Sequence, residues 1–448
     1  MKLDNFKGLT GEIVLPGDEK YEEARQEWNR AIQKFPSIIV YCCSYEDVSN
    51  AIKWAQKHSA DIRIRSGGHH YEGYSIGNGV LVIDISRLNA VIVDEKRNLV
   101  TMQAGIQNKD LYDAVGSKGY PFPGGTCPTV GVSGFVLGAG WGFSSRLYGL
   151  GCDSLVELEM INYKGERLKV NNKENSDLFW ACKGAGGGNF GVMVSMTFKL
   201  PPKVDQVTLF QLYKPNATTK EQREFLRIWQ KWLVNLDNRM TLNTSLYNSS
   251  SEGLAIYGRG FFYGTKEQTE KLLKVYKKIE GLQISAKSLT FLEAVREIES
   301  TYPPYEKFKS TGRFVYKEYD REELEAIVSL VRKPAKGSVY AALTVYSMGG
   351  QIRKVSKTDT AFYYRKARYI LGIQSVWEDP LVAKENKKWV EKRFNYLETI
   401  TKGSFVNFPY RDLKNYQKAY FGRNVERLQR INKKYDPRSV FSFPQSIR

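Results

Sequence analysis

The chain has 448 residues, of which 42% are hydrophobic and 26% charged, and its formal net charge is +19. This length exceeds one ordinary core, so we expect two or three packed units, and the balanced composition argues against bulk disorder. No apolar run approaches the roughly 18–20 residues of a membrane span, while five cysteines without a CxxC spacing and only three histidines argue against a disulfide framework or a metal centre.

The first elements alternate between strand and helix. Residues 38–41 are apolar and β-branched, which predicts a strand, and Ser44 with Asp47 resembles a capping box. Residues 48–55 then carry apolar side chains at helical spacing, and residues 61–65 alternate as a second strand. Further strands are predicted at 80–85, 99–104, 155–162 and 192–200, and helices at 109–117 and 176–182.

Residues 124–151 contain too many glycines for an ordinary helix or strand. Glycine weakens regular structure and is used where the backbone turns sharply or approaches something closely. Pro201-Pro202 closes this first region.

From about residue 205 to 400, apolar strands alternate with long charged helices, a pattern that suits an antiparallel sheet with helices on one face. The fold class is therefore predicted as α+β. Strands are expected at 254–262, 339–347 and 367–376, and helices at 220–236, 266–280 and 415–435.

Gly186, Gly188 and Gly191 match the G-x-G-x-x-G pattern of nicotinamide-binding sites. That motif requires a strand before it and a helix after it. Here a predicted helix precedes it and a strand follows, so we reject nicotinamide binding at this motif.

Two other segments carry the chemistry. Residues 64–73 read IRSGGHHYEG, where a Ser-Gly-Gly turn leaving a strand exposes successive N–H groups able to cradle a pyrophosphate. Residues 124–134 read GGTCPTVGVSG. Taken singly, His69 is more often a structural histidine and Cys127 a buried small hydrophobic residue.

Together, the two segments resemble the berberine-bridge-enzyme-like branch of the FAD-linked oxidases of the vanillyl-alcohol-oxidase type. The resemblance covers nearly the whole chain. It continues through DLFW at 177–180 and GGGNFGV at 186–192, and it ends with YFG at 420–422, YDP at 435–437 and QSI at 445–447.

The resemblance implies a two-domain FAD-linked oxidase, with a PCMH-type FAD-binding domain in residues 1–203, a substrate domain in 204–400 and a C-terminal segment, 401–448, that returns to the first domain. It also implies FAD bound by two covalent bonds, from His69 to the 8α carbon and from Cys127 to C6 of the flavin. The remaining implied FAD-binding residues are Arg65, Ser66, Gly67, Gly68, His70, Tyr71, Thr129, Val130, Gly131, Gly134, Gly138, Gly140, Asn189, Gly191, Val192 and Asn407.

The catalytic base is where this sequence departs from the family. A flavin oxidation needs a base to take the substrate's hydroxyl proton, yet the usual base position is Phe408, and a common carboxylate position falls at Ile370. The resemblance leaves Tyr346 as first choice for the base and Tyr410 as second. Tyr71 matches a tyrosine that lines the site.

We expect an oxidase of a sugar, oligosaccharide or secondary-metabolite alcohol, with O2 as acceptor and H2O2 as product. A dehydrogenase with another acceptor and a catalytically silent flavoprotein remain open. The basic residues are spread out, so a solvated basic surface is preferred over steering of an anionic substrate or polyanion binding, and no specific nucleic acid partner is expected. An N-terminus without an apolar signal segment and an odd number of cysteines favour the cytoplasm, with surface or spore association left open.

Overall fold

A computed structural model describes residues 6–448, in which the named strands form three sheets. The first contains β1 (Glu12–Val14), β2 (Ile38–Tyr41), β3 (Ile62–Arg65) and β4 (Leu81–Asp84), in the order β1-β2-β4-β3. β2 and β3 both run parallel to β4. The strand–helix–strand prediction for residues 38–65 is therefore confirmed, and the carboxyl end of β3 leads directly into the first glycine-rich segment.

The second sheet is antiparallel, in the order β5-β6-β9-β7-β8. Its strands are β5 (Val91–Asp94), β6 (Leu99–Gln103), β7 (Leu155–Ile161), β8 (Arg167–Asn171) and β9 (Val192–Lys199).

The third sheet has seven antiparallel strands, in the order β13-β10-β12-β11-β15-β16-β14. They are β10 (Val207–Lys214), β11 (Met240–Ser249), β12 (Gly253–Phe262), β13 (Gln283–Leu289), β14 (Phe308–Val315), β15 (Ser338–Ser347) and β16 (Tyr369–Trp377). This antiparallel sheet confirms the α+β expectation.

Helices flank these sheets and supply the remaining regular structure. They are α1 (Tyr21–Ala24), α2 (Tyr45–Lys57), α3 (Asn108–Gly116), α4 (Val132–Leu137), α5 (Ser145–Tyr148), α6 (Ser176–Ala181), α7 (Thr219–Trp232), α8 (Lys266–Leu273), α9 (Phe291–Glu299), α10 (Arg321–Ser329), α11 (Gln351–Lys354), α12 (Ala383–Ile400), α13 (Tyr416–Phe421) and α14 (Val425–Tyr435).

The third sheet has one apolar face and one polar face, because successive side chains of a strand point to opposite sides. In β15, Leu343 and Val345 are buried in a core shared with α7, α10 and α12. Thr344 and Tyr346 alternate with them and line a cavity on the other side. The polar face of the third sheet therefore faces the first half of the chain across this cavity.

Two sequence predictions were wrong in detail. The glycine-dense region does contain two short helices, because Gly134 is the one glycine among the six residues of α4, and α5 contains none. The tail helix expected over 415–435 is broken into α13 and α14, because Gly422 has a φ of +56°, in the left-handed region that interrupts a helix.

Candidate active site

A cavity of about 770 Å³ lies between the glycine-rich loops, the polar face of the third sheet and the C-terminal segment. This volume falls within the roughly 300–1,000 Å³ common for ligand sites. One wall consists largely of glycine backbone. The glycines in it are Gly67, Gly68, Gly125, Gly131, Gly134, Gly186, Gly187, Gly188 and Gly191.

The two glycine-rich segments touch backbone to backbone. A Cβ atom added at Gly67 would lie 2.2 Å from the Gly131 nitrogen and 2.6 Å from the Thr129 carbonyl oxygen. A Cβ atom at Gly131 would in turn lie 2.3 Å from the Ser66 hydroxyl oxygen. Glycine at both positions is therefore what allows the two loops to meet.

This contact brings His69 and Cys127 to one hydroxyl group. The Thr129 Oγ1 atom lies 2.8 Å from Nε2 of His69 and 3.9 Å from Sγ of Cys127. The His69 ring also stacks on Trp28, with ring centroids 5.1 Å apart. Two nucleophilic side chains that are distant in sequence thus share one end of the cavity.

The electrostatics of this end favour neutral groups. Burial lowers the pKa of His69 to about 3, so its imidazole is neutral at physiological pH. Burial raises the pKa of the Cys127 thiol, an effect that hydrogen bonds from Thr129 partly offset. The neighbouring His70 is also kept neutral, because burial lowers its pKa to about 3, and its Nδ1 accepts the Glu72 N–H at 3.2 Å.

The C-terminal segment closes the cavity from the other side. The Asn189 side chain accepts the Ile447 N–H at 2.9 Å, and Asn432 donates to the Asn189 carbonyl at 2.8 Å. Asn407 donates to the Phe135 carbonyl at 2.8 Å. Asn189 and Asn407 therefore line the cavity and also join the first half of the chain to its end.

Most of the expected cofactor-binding residues line the cavity, but some are not part of its lining. Arg65 is buried and paired with Asp84, and Thr129 reaches the site through His69. A Cβ atom at Gly138 would lie 1.7 Å from the Asn407 side-chain oxygen, so this glycine makes room for Asn407. Gly140 and Val192 are likewise packing positions outside the lining.

The polar face of the third sheet supplies the opposite wall. Asn243 on β11 pairs with Arg259 on β12 and with Tyr346 on β15, which sets three polar side chains in one row. Ile370 on β16 continues that row opposite Tyr346 and is fully buried, so no carboxylate occupies this position. The Arg259 guanidinium donates to the Thr301 hydroxyl at 2.9 Å.

Aromatic residues around Phe408 line the cavity next to the third sheet. The Tyr71 ring lies parallel to the Phe408 ring, with their centroids 5.4 Å apart. The centroids of the Tyr346 and Phe408 rings are 5.1 Å apart. Burial raises the pKa of both tyrosines, so both remain protonated near neutral pH. The structure thus brings Tyr71 and Tyr346 into the cavity together.

Tyr410 is not brought into the cavity. Its side chain is 2% exposed and stacks on Phe394 with centroids 4.1 Å apart. The segment around Phe408 is a turn rather than a strand, so residues two apart do not share a face. Tyr410 therefore does not replace Phe408 as a group facing substrate.

Sequence reasoning missed several residues of this site. Glu306, Arg259 and Tyr302 all line the cavity, and the Tyr302 hydroxyl lies 2.6 Å from the Thr126 hydroxyl, beside Cys127. Each comes from the second half of the chain and carries no motif. The one sequence signal was in β12, where Arg259 is a charged residue in an otherwise largely apolar strand.

The described residues contain no group of three or more side chains suited to hold a metal ion. Within residues 6–448, no helix is both long and apolar enough to cross a membrane.

Comparisons with known proteins agree with this arrangement. A family model described as an FAD binding domain matches residues 36–171, and one described as "Berberine and berberine like" matches residues 404–448. The FAD-linked oxidoreductase YgaK of Bacillus subtilis is 35% identical, over 98% of this chain and 97% of its own. Reticuline oxidase of Eschscholzia californica is 28% identical, over 94% of this chain and 84% of its own.

A solved structure gives the same result. The BBE-like protein 1 of Physcomitrella patens superimposes with a TM-score of 0.91 at 25% identity, covering 99% of this chain and 98% of its own. The wall of glycines, which project no side chains into the cavity, leaves room for a large planar ligand and fits FAD as the cofactor. The chain belongs to the berberine-bridge-enzyme-like family of FAD-linked oxidoreductases.

Proposed function

We propose that this protein holds FAD through two covalent bonds, at His69 and Cys127, and oxidises an alcohol group of a small molecule. The observation that carries the proposal is the Thr129 hydroxyl, which contacts His69 Nε2 at 2.8 Å and Cys127 Sγ at 3.9 Å. Two nucleophiles beside one hydroxyl, at one end of a glycine-walled cavity, suit attachment to one flavin ring, at its 8α methyl carbon and at C6.

The protonation state of His69 supports the first bond. A histidine that attacks carbon must offer a lone pair, and burial lowers the pKa of His69 to about 3, which keeps its imidazole neutral. Stacking on Trp28 at 5.1 Å holds the ring in place. The backbone of residues 66–71 then serves the pyrophosphate, and the glycines around 130–134 and 186–191 lie against the rest of FAD.

The polar face of the third sheet supports an alcohol substrate. Asn243, Ser245, Thr344 and Gln374 present amide and hydroxyl groups to the cavity, a surface suited to the hydroxyls of a sugar or secondary metabolite. When bound, FAD accepts two electrons from the substrate. Tyr346 is protonated, so we propose that its phenol donates a hydrogen bond to the substrate oxygen, while Tyr71 stacks on Phe408, which Tyr346 also contacts.

We further propose O2 as the electron acceptor, with H2O2 as product, and a cytoplasmic location. The location is supported by the cysteines, since Cys42, Cys43, Cys127, Cys152 and Cys182 are all free of disulfides. One observation favours a second candidate, a catalytically silent flavoprotein: Phe408 and Ile370 leave two usual polar positions without a polar group.

The first test of the proposal is to denature the holoprotein in acid and record the absorbance and mass of the polypeptide. Yellow colour and the added mass of one FAD should remain with the wild-type chain. His69→Ala and Cys127→Ala should each keep the flavin, and the double variant should lose it. A colourless, unmodified wild-type chain would contradict the two-bond proposal.

A second test separates the functional candidates. Glucose, chito-oligosaccharides and benzylic alcohols are mixed anaerobically with the holoprotein, and flavin reduction is followed by absorbance. Reduction by one of them supports an enzyme, and rapid reoxidation in air with H2O2 formation supports an oxidase. Slow reoxidation in air, with rapid reoxidation by a quinone, would indicate a dehydrogenase.

A further inference from the structure

The cavity has one acidic side chain among the described residues that line it. Phe408 and Ile370 occupy the positions at which a base and a carboxylate were expected, and neither can accept a proton. Glu306, which lies between α9 and β14, does line the cavity. The cavity therefore has a carboxylate, but it comes from the loop between α9 and β14 and not from position 370 or 408.

The backbone of Glu306 is fixed by hydrogen bonds to the first half of the chain. Its carbonyl accepts the Arg30 N–H at 2.7 Å, and its own N–H donates to the Trp28 carbonyl at 3.2 Å. The buried Asn29 side chain between them donates to the Phe308 carbonyl at 3.0 Å and to the Tyr71 carbonyl at 3.2 Å. One amide thus sets the position of the Glu306 segment relative to Tyr71.

Within residues 6–448, no residue forms a hydrogen bond or ion pair with the Glu306 carboxylate. The titratable groups whose pKa its charge raises are Tyr71, Tyr302, Tyr340 and Cys127, all of which face the cavity. Burial of Glu306 raises its own pKa to about 7. A group that titrates near the working pH is well suited to general base catalysis.

We propose that Glu306 is the residue that accepts the hydroxyl proton of the substrate, a role that rests on the alcohol oxidation proposed above. The O–H bond breaks and its proton passes to the Glu306 carboxylate. The electron pair left on oxygen forms the C=O bond as the C–H bond breaks with loss of a hydride, for which FAD, when bound, would supply the two-electron acceptor. Tyr346 holds the same oxygen from the sheet side and keeps its proton.

The test compares the wild-type holoprotein with Glu306→Gln, Glu306→Asp and the control Glu299→Gln. Glu299 is a matched control because burial also raises its pKa to about 7, yet it lies on α9 outside the cavity wall. The first readout needs no substrate. The flavin absorbance of each protein is recorded from about pH 5 to 9, and we expect a transition near pH 7 in the wild type and in Glu299→Gln that Glu306→Gln lacks.

The second readout is the rate of flavin reduction by an alcohol that reduces the wild type. Glu306→Gln should slow this rate by roughly 10²–10⁴-fold and lose its dependence on pH. Glu306→Asp should keep the pH dependence at a lower rate, which excludes a folding defect. Glu299→Gln should behave as the wild type does.

The outcomes separate the two proposals. If alcohols reduce the flavin and Glu306→Gln keeps both the rate and the pH profile, Glu306 is not the base although the enzyme proposal stands. If no alcohol reduces the wild-type flavin, the enzyme proposal fails, and the absorbance transition alone decides whether Glu306 titrates beside the cofactor. A transition that persists in Glu306→Gln overturns the inference in either case.

Discussion

The Thr129 hydroxyl offers a sharp test of how the flavin bonds form. Thr129→Val keeps the shape of the side chain and removes the oxygen that lies 2.8 Å from His69 Nε2. A hydrogen bond of this kind contributes about 0.5–1.5 kcal/mol net, and if it orients the imidazole during attack, its loss should slow attachment at His69 about two- to tenfold. The contact to Cys127 Sγ is 3.9 Å long, so attachment at Cys127 should change little.

The assay follows both bonds separately. Apoprotein from riboflavin-starved cells is mixed with FAD and quenched in acid at intervals, and peptide mass spectrometry measures each linkage. Thr129→Ser is the matched control, since it retains the hydroxyl and should attach flavin at the wild-type rate. Wild-type kinetics at His69 in Thr129→Val, or equally slow kinetics in Thr129→Ser, would refute the role assigned to this hydroxyl.

Three further predictions address the substrate half, the loop contact and the buried histidine. Tyr346→Phe should slow flavin reduction about tenfold through loss of one hydrogen bond, whereas Tyr410→Phe should leave the stopped-flow rate unchanged because Tyr410 lies outside the cavity. In the apoprotein, Gly131→Ala should lower the free energy of unfolding in urea by about 1–3 kcal/mol through overpacking, whereas Gly134→Ala, whose Cβ meets no protein atom within 4 Å, should raise it by up to about 1 kcal/mol. Burial lowers the pKa of His70 to about 3, so below about pH 6.5 the unfolded chain gains a proton that the folded chain does not. The urea concentration at the unfolding midpoint should therefore be lower at pH 5.5 than at pH 7, and this difference should be smaller in His70→Gln.

Local sequence signals placed the strands and helices of the first half closely. The capping box at Ser44 and Asp47 is present, and α2 begins at Tyr45 as that motif predicts. The helix before Gly186 and the strand after Gly191 are confirmed as well, which is the context that excluded a nicotinamide motif. These features depend on residues a few positions apart, so the sequence alone carries them.

The site was predictable only where a motif lies in one segment. His69 and Cys127 belong to such motifs, and their proposed bonds to flavin stay predictions. Glu306 follows Pro303-Pro304 in a stretch without periodicity, and its place depends on pairing with Asn29, far away in the chain. The domain boundaries at 203 and 400 also stay predictions.

The apolar residues at positions 370 and 408 explain why a loop carboxylate suits this cavity. A Cβ atom at Gly312 would lie 2.8 Å from Phe408 and 3.0 Å from Ile370, so these two side chains fill the space that a side chain at position 312 would occupy. A carboxylate in place of the fully buried Ile370 would lose its hydration, and the cation of this row, Arg259, lies three strands away. Glu306 bears less of that cost, because it is only partly buried and lines the cavity, and burial raises its pKa only to about 7. The tyrosines around it keep their protons at that pH, so a single ionisation should govern the rise of activity with pH.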